Sequence, residues 1–322
     1  MKVLVTGGAG YIGSMLAANL LEHGHRVRVL DNLSHGGQAL LGIWSHPDFE
    51  FVRGDICDAE TRRTSVAGME AVVHLAAIVG DPACARQPEL ARAVNQDASL
   101  KLLAEAQGAQ VGRFVFASTC SNYGKMADPA HYVDETSELR PVSLYAETKV
   151  AVEKTLLDPA QTRGICATAL RFATVYGVSQ RMRFDLTVNE FTLELLRHNR
   201  LQVFGEQFWR PYIHVRDVAR AVTLILESPT AQVANEVFNV GATDQNYQKQ
   251  GLVELLRPYA PSAVVEFVHR AEDPRDYRVS FEKINGALGF QITRTVADGI
   301  AEIAHLIRSQ ALVDFDNPAY RN

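Results

Sequence analysis

The chain has little of what would place it in several large protein classes. Four cysteines stand among its 322 residues, Cys57, Cys84, Cys120 and Cys166, far apart and with no CxxC pair. That spacing argues against a disulfide framework and for the reduced thiols of a cytoplasmic protein. Ten histidines include no HExxH and no Cys/His ligand spacing, so no metal site is expected. No apolar run reaches membrane-spanning length, and the N-terminus lacks the basic, apolar, small-residue order of a secretory signal. Positive charge is not in excess: 32 Lys and Arg face 37 Asp and Glu, a net charge of -5, which leaves no footprint for nucleic acid. Repeats and low-complexity linkers are also missing. What remains, 47% hydrophobic and 21% charged, is ordinary for a globular chain of one large or two small domains, long enough to bury a core without staples.

The strongest local signal comes first. Met1 to Thr6 (MKVLVT) is a short β-branched apolar run, followed by Gly7, Gly8, Ala9, Gly10, Tyr11, Ile12 and Gly13 and then an apolar helical pattern from about Met15 to His23. Strand, glycine turn and helix are the context of a dinucleotide site. Gly7 allows the tight turn, Gly10 lets backbone N–H groups reach a pyrophosphate, and Gly13 lets the helix pack on the strand. The helix N-terminus then turns its positive end to the phosphates. Asp31 closes the next apolar run, where a carboxylate accepts from adenosine ribose hydroxyls and repels a 2′-phosphate, so NAD is expected over NADP.

Strand-like runs near 2–6, 26–31, 49–53, 70–75, 112–117 and 165–171 alternate with helical patterns near 11–23, 59–66, 89–108 and 144–158. The alternation predicts a Rossmann-type, doubly wound parallel α/β sheet. After Phe172 the rhythm loosens. Helical patterns near 185–198, 215–227, 246–258, 281–288 and 296–309, with strand-like runs at Leu201–Phe204, Pro211–Val215, Glu236–Val240 and Ala263–Val268, predict a smaller C-terminal α/β substrate lobe. The expected division is residues 1–172, with segments near 211–241 returning to the sheet, against 173–210 and 242–322. The polar stretch from Asp314 to Asn322 reads as a surface tail.

A second constellation lies in SLYAETK. Tyr145 and Lys149, four residues apart, share one helix face. A tyrosine near pKa 10 is a poor base, but an adjacent ammonium and an oxidised nicotinamide favour its phenolate. A third group to orient a substrate hydroxyl is expected at the carboxyl end of the fifth strand, where FVFASTCSNYG places Ser118, Thr119, Cys120 and Ser121.

These motifs in this order resemble the extended short-chain dehydrogenase/reductases, the group of NAD-dependent nucleotide-sugar epimerases and dehydratases. TGGAGYIG at 6–13 is similar to their cofactor turn, LDN at 30–32 to their second strand end, GDICD at 54–58 to the segment by the adenine, and HLAA at 74–77 to the fourth-strand motif. The resemblance implies Gly7, Gly10, Tyr11, Ile12, Asp31, Asn32, Asp55, Ile56, Leu75, Ala76, Ala77 and Asn95 as cofactor contacts, joined by Tyr145 and Lys149, and Thr119, Tyr145 and Lys149 as the catalytic set. The second half resembles the nucleotide-sugar lobe of the family's 4-epimerases. RFATVYG at 171–177 is similar to an RxxNxxG turn with Thr174 in place of the asparagine, LQVFG offers Gln202 and Phe204 near a nucleoside, and Arg210 matches a phosphate-binding arginine followed here by Pro211. Arg270, Asp273, Tyr277 and Lys283 reproduce the family's C-terminal spacing, and Ser121 falls near the sugar. Two arginines supply the forks a diphosphate wants, and Asp273 a carboxylate for a ribose. Arg181 and Arg183 form a further basic pair that touches phosphate, sugar or neither.

The implied activity is epimerisation of a nucleoside-diphosphate sugar through a 4-keto intermediate, with a 4-ketohexose reductase and a non-catalytic NAD sensor as alternatives. The resemblance also implies a homodimer built on the helices near 89–108 and 144–158, whose apolar stripes carry Leu90, Val94 and Leu102, and Val150, Val152 and Leu156. A 4,6-dehydratase is not expected, because Cys120 and Ser121 stand where those enzymes carry an acid and a base.

Overall fold

The computed structural model describes residues 1–126, 131–270 and 275–322. Asp273 lies outside them. The strands, in chain order, are β1 (Lys2–Thr6), β2 (Arg26–Asp31), β3 (Phe49–Arg53), β4 (Ala71–His74), β5 (Arg113–Thr119), β6 (Cys166–Phe172), β7 (Thr174–Tyr176), β8 (Arg200–Phe204), β9 (Trp209–His214), β10 (Glu236–Val240), β11 (Asn246–Gln248) and β12 (Val264–Val268). Seven of them form one parallel sheet in the order β10-β6-β5-β4-β1-β2-β3.

Strand alternation explains why helices cover both faces of this sheet. Val3, Val5, Val27, Val29 and Val115 point to one side, into a core with Leu16, Leu20, Val218, Val222 and Ile225. Leu4, Leu30, Phe114 and Phe116 point to the other, against Leu102, Leu103, Val152 and Leu156. The first face is covered by the helices Tyr11–Glu22 and Val215–Glu227, the second by Ser99–Gly108 and Leu144–Leu156. The chain reverses its winding between β1 and β4, so a crevice opens there at the carboxyl ends of the strands.

The second half builds two small sheets, β11-β9-β7 and β12-β8, around a separate core that includes Leu193, Leu195, Val203, Ile300, Ile303 and Phe315. Of the stretch expected to rejoin the main sheet, Glu236–Val240 does so beside β6, whereas Pro211–His214 pairs with β7 and β11 instead. The helix expected over 246–258 starts only at Lys249. Asn246 is diverted into β11, where its side chain exchanges hydrogen bonds with the backbone of Val279 (2.9 Å each way).

The helix expected over 89–108 is interrupted by a π segment, Ala93–Ala98, between Pro88–Arg92 and Ser99–Gly108. Such wide turns re-aim side chains near functional sites. Here Asn95 reaches out to the loop after β4. Leu102, Val152 and Leu156 of the two apolar stripes are consumed by the core and Val150 is buried as well, while Leu90 is 46% exposed. The polar tail is docked: Phe315 is buried, and Tyr320 packs edge-on against Phe184 at 5.9 Å. Among the described residues no helix is long and apolar enough to cross a membrane.

Candidate active site

The glycine turn sits at the crevice. Gly7 has φ +72°, and a Cβ there would lie 2.8 Å from the Ala76 nitrogen, so only glycine lets β1 end this close to the end of β4. A Cβ on Gly13 would collide with the Gly7 carbonyl, which explains the third glycine. Gly10 caps the helix Tyr11–Glu22, and its own Cβ would meet only the Gly7 oxygen, at 3.2 Å; the side above the turn is open. No acidic residue stands in the first turn of that helix, so its free N–H groups face the crevice uncompensated. This cradle fits a pyrophosphate.

Asp31 ends β2 and holds the turn in place. Its two oxygens accept from Ala9 N (3.0 Å) and Leu33 N (2.8 Å). Burial raises its pKa above the usual carboxylate value, and those two N–H groups only partly offset the rise. Asn32 and Asp55 come together, Asn32 Nδ2 donating to Asp55 Oδ2 at 3.1 Å while Cys57 N donates to the other oxygen at 2.8 Å. Ile56 lies in the core with Leu4 and Leu30, and Ile12 packs against the opposite core. Leu75, Ala76 and Ala77 follow β4, half-buried, alongside the turn. Asn95 clamps their continuation by accepting from Ile78 N (2.8 Å) and donating to Ile78 O (2.9 Å). The Tyr11 hydroxyl donates to Gly177 O at 2.6 Å, which ties the helix to the second half, while its backbone stands at the turn.

Thr119 is the last residue of β5, and its Oγ1 accepts from Ser121 N (3.1 Å). Tyr145 and Lys149 occupy the first two turns of the helix Leu144–Leu156, which Ser143 caps. Lys149 is 2% exposed, with Nζ 4.6 Å from the Phe116 ring centroid and 5.8 Å from that of Tyr145. Burial pulls its ammonium down to about 7. The Tyr145 phenol, half-buried, is pushed above its ordinary pKa, chiefly by burial, with Arg183 acting in the opposite sense. In the protein alone, desolvation therefore dominates this pair, and the phenol is raised rather than depressed. His74 lies nearby with Nδ1 2.7 Å from Thr6 Oγ1 and Nε2 2.8 Å from Ser99 Oγ, and burial, then the Lys149 charge, lower its pKa to about 3, so it is a neutral imidazole.

Beneath this pair lies a buried network that sequence reasoning missed. Ser118 Oγ donates to Glu153 Oε2 (2.6 Å), Asn122 Nδ2 to Ser118 Oγ (3.0 Å), and Arg171 on β6 forks onto Glu153 and bonds the Tyr123 hydroxyl (2.8 Å). It locks the helix of Tyr145 to the strand of Thr119. The available signal was spacing: Glu153 follows Tyr145 and Lys149 by eight and four residues, on the same helix face. Arg171, the first residue of the RFATVYG motif, serves this lock. Cys120 is 1% exposed, its thiol donating to Arg171 O (3.2 Å), and burial raises its pKa. It packs behind the crevice.

Six of the described residues that the resemblance assigns to a substrate form two groups, and Thr174 stands by itself. Ser121 Oγ lies 3.4 Å from the Tyr277 hydroxyl, and the Arg210 guanidinium lies 5.3 Å from the centre of the Tyr277 ring, so these three converge. Arg270 and Phe204 pair at 4.8 Å, with Phe204 39% exposed and Gln202 on the same face of β8. Thr174 opens β7, half-buried, in register with Tyr212 of β9. Lys283 stands apart from both groups, bonded to Glu236 (2.6 Å) and Val237 O (2.8 Å). Arg183 is forked by Asp185, and Arg181 reaches the tail at Arg321 O (2.9 Å).

Known proteins are similar to this chain over nearly its whole length. UDP-glucose 4-epimerase of Corynebacterium glutamicum is 32% identical over 321 residues, covering 94% of each chain. dTDP-glucose 4,6-dehydratase of Streptomyces niveus is 31% identical over 96% of this chain and 93% of its own. Among solved structures, UDP-glucose 4-epimerase of Thermotoga maritima with UDP-glucose superposes with a TM-score of 0.85 at 31% identity, over 97% of this chain and all of that one. The dTDP-glucose 4,6-dehydratase of Streptomyces venezuelae, solved with NAD bound, gives 0.85 at 27% identity, over all of this chain and 99% of that one. The family model matches residues 3–241, and with the glycine cradle, Asp31 and the Tyr145–Lys149 pair around one crevice, the chain belongs to the NAD-dependent epimerase/dehydratase family.

Proposed function

We propose that the chain is an NAD-dependent nucleotide-sugar epimerase acting on a nucleoside-diphosphate hexose through a 4-keto intermediate. The observation that carries this reading is a crevice that offers the Tyr145–Lys149 pair while the stretch Thr119–Tyr123 offers hydroxyls, an amide and a buried thiol but no carboxyl group.

The glycine turn and the Tyr11–Ile12 backbone would hold the pyrophosphate, Asp31 and Asn32 the adenosine ribose, Asp55 and Ile56 the adenine side, and Leu75, Ala76 and Ala77 the nicotinamide side. NAD, when bound, supplies an acceptor and donor for the C4 hydride and a positive charge beside the Tyr145 phenol. Tyr145 takes the proton of the 4-hydroxyl as the C4–H bond breaks and returns it once the ketone has presented its other face. Thr119 holds the same oxygen by a hydrogen bond. Lys149 stabilises the phenolate and orients the nicotinamide ribose. Arg210 and Arg270 fork the diphosphate, Phe204 and Gln202 line the nucleoside, and Ser121, Thr174 and Tyr277 meet the sugar. Asp273 belongs to this set by its place in the sequence.

A 4,6-dehydratase must protonate a leaving 6-hydroxyl and remove the C5 proton. Cys120 is buried with its thiol committed to Arg171 O, and Ser121 is a hydroxyl; neither replaces a carboxyl pair at neutral pH. The test is incubation with UDP-, dTDP-, GDP- and CDP-hexoses, read by chromatography and NMR. One of them is expected to give its C4 epimer with no added reduced cofactor. A 4-keto-6-deoxy product, seen as loss of one water, would refute the epimerase reading, and a stoichiometric need for NADH would turn it into a ketoreductase.

A further inference from the structure

The segment 177–183 of the second half lies across the first turn of the helix Tyr11–Glu22. The Tyr11 hydroxyl donates to Gly177 O (2.6 Å), Ser179 Oγ donates to Tyr11 O (2.7 Å) and lies 3.3 Å from Ser14 Oγ, and Asn189 Nδ2 donates to Gly177 O (3.3 Å) and Arg183 O (2.8 Å). These bonds fix the segment beside the helix end that the glycine turn leaves open.

Arg181 sits in this segment. It is 7% exposed; Nη2 donates to Arg321 O, and Nε is buried with no hydrogen-bond partner among the described residues. An unmatched buried guanidinium N–H is costly and calls for an acceptor. The acid that acts on it, Asp185, is already engaged by the Arg183 guanidinium. Burial, and then the Arg183 charge, pull Arg181 down to about 10, which leaves it cationic at neutral pH. Arg181 also lies within electrostatic reach of His35, in the loop that follows Asp31, and acts on it more strongly than Arg183 does. Two arginines thus stand in a segment anchored to the first turn of a helix that has no acid there, and both act on His35 beside Asp31. The group that completes such a place is an anion with several acceptor oxygens.

We propose that Arg181 is a ligand of the dinucleotide pyrophosphate, so that the cofactor is gripped between the glycine turn and the segment 177–183 contributed by the second half of the chain. This inference rests on NAD occupying the crevice.

The test is calorimetric titration of the full-length protein and of Arg181→Gln with NAD, ADP-ribose, adenosine, NADP and UDP-glucose. NAD and ADP-ribose share the pyrophosphate and are expected to bind Arg181→Gln more weakly by roughly ten- to a hundredfold, the range for a lost charge-assisted hydrogen bond. Adenosine and UDP-glucose are expected to bind as they do to the unaltered protein. Arg181→Lys, which keeps the charge and loses the fork, is expected to lose less, and it decides the matter alone should Arg181→Gln fail to fold. Unchanged NAD and ADP-ribose affinity in a folded variant overturns the proposal, as does a loss confined to NADP, which would assign Arg181 to a 2′-phosphate, or one confined to UDP-glucose. An unaltered protein that binds neither NAD nor ADP-ribose overturns the cofactor reading itself, and this inference with it.

Discussion

Lys149→Met is expected to make the protein more stable and inactive at once. Lys149 is buried with its pKa lowered from 10.5 to about 7. The unfolded chain therefore holds more protons than the folded one between those values, and the stability of the unaltered protein rises with pH across that window. Below about pH 7 the ammonium is charged in both states and its burial cost is present in full. A tenfold difference in proton affinity between the two states is worth about 1.4 kcal/mol, so the cost is about 4 kcal/mol at pH 7 and falls to about 2 kcal/mol at pH 9. Methionine fills similar volume beside Phe116 and carries no charge, so the variant should recover much of that amount. The assay is thermal and urea unfolding of both proteins, without cofactor, from pH 6 to 9.5. The variant is expected to melt several degrees higher at pH 6–7, with the gap closing as pH rises, while turnover is lost. A gap that stays constant with pH, or a variant that melts lower throughout, would refute the reasoning that desolvation dominates at Lys149.

Tyr145→Phe removes only the hydroxyl proposed as acid and base, so it should keep the fold and NAD binding while kcat falls by roughly a hundred- to ten-thousandfold; steady-state kinetics on the sugar nucleotide found by the screen checks this. Glu153→Gln leaves the Arg171 guanidinium buried without its carboxylate and should cost about 3 kcal/mol, read as a lower urea midpoint, whereas an unchanged midpoint would mean the network is energetically idle. A homodimer is expected through the outer faces of the Pro88–Gly108 stretch and the Leu144–Leu156 helix, where Leu90 is exposed and Arg92 lies 3.7 Å from Glu147. Light scattering at micromolar concentration should give twice the chain mass, and Leu90→Asp should shift it towards the monomer.

The alternation of strand and helix through Phe172 was legible because each parallel strand is a short apolar run and each helix an amphipathic one, patterns that survive in a linear sequence. The same holds for the glycine turn. Gly7 is demanded by a positive φ and a close backbone approach, Gly13 by helix–strand contact, and no other residue type can stand there. Tyr145 and Lys149 were legible because four residues of helix bring them to one face whatever surrounds them. Beyond these, tertiary structure decided. Whether Pro211–His214 joins the large sheet depends on which edge is free to pair, and β7 and β11 supplied it. The lock of Ser118, Asn122, Glu153 and Arg171 gathers side chains from β5, the turn after it, a helix and β6, so no window of sequence contains it. The burial that lowers Lys149 and raises Tyr145, and the docking of the tail that holds Arg181, likewise come from distant segments. Backbone sterics and periodicity set the elements and the local geometry of the glycine turn, so a linear sequence carries them; the protonation of Tyr145 and Lys149 and the partners of the buried charges arise only on folding, because desolvation is a property of the packed interior.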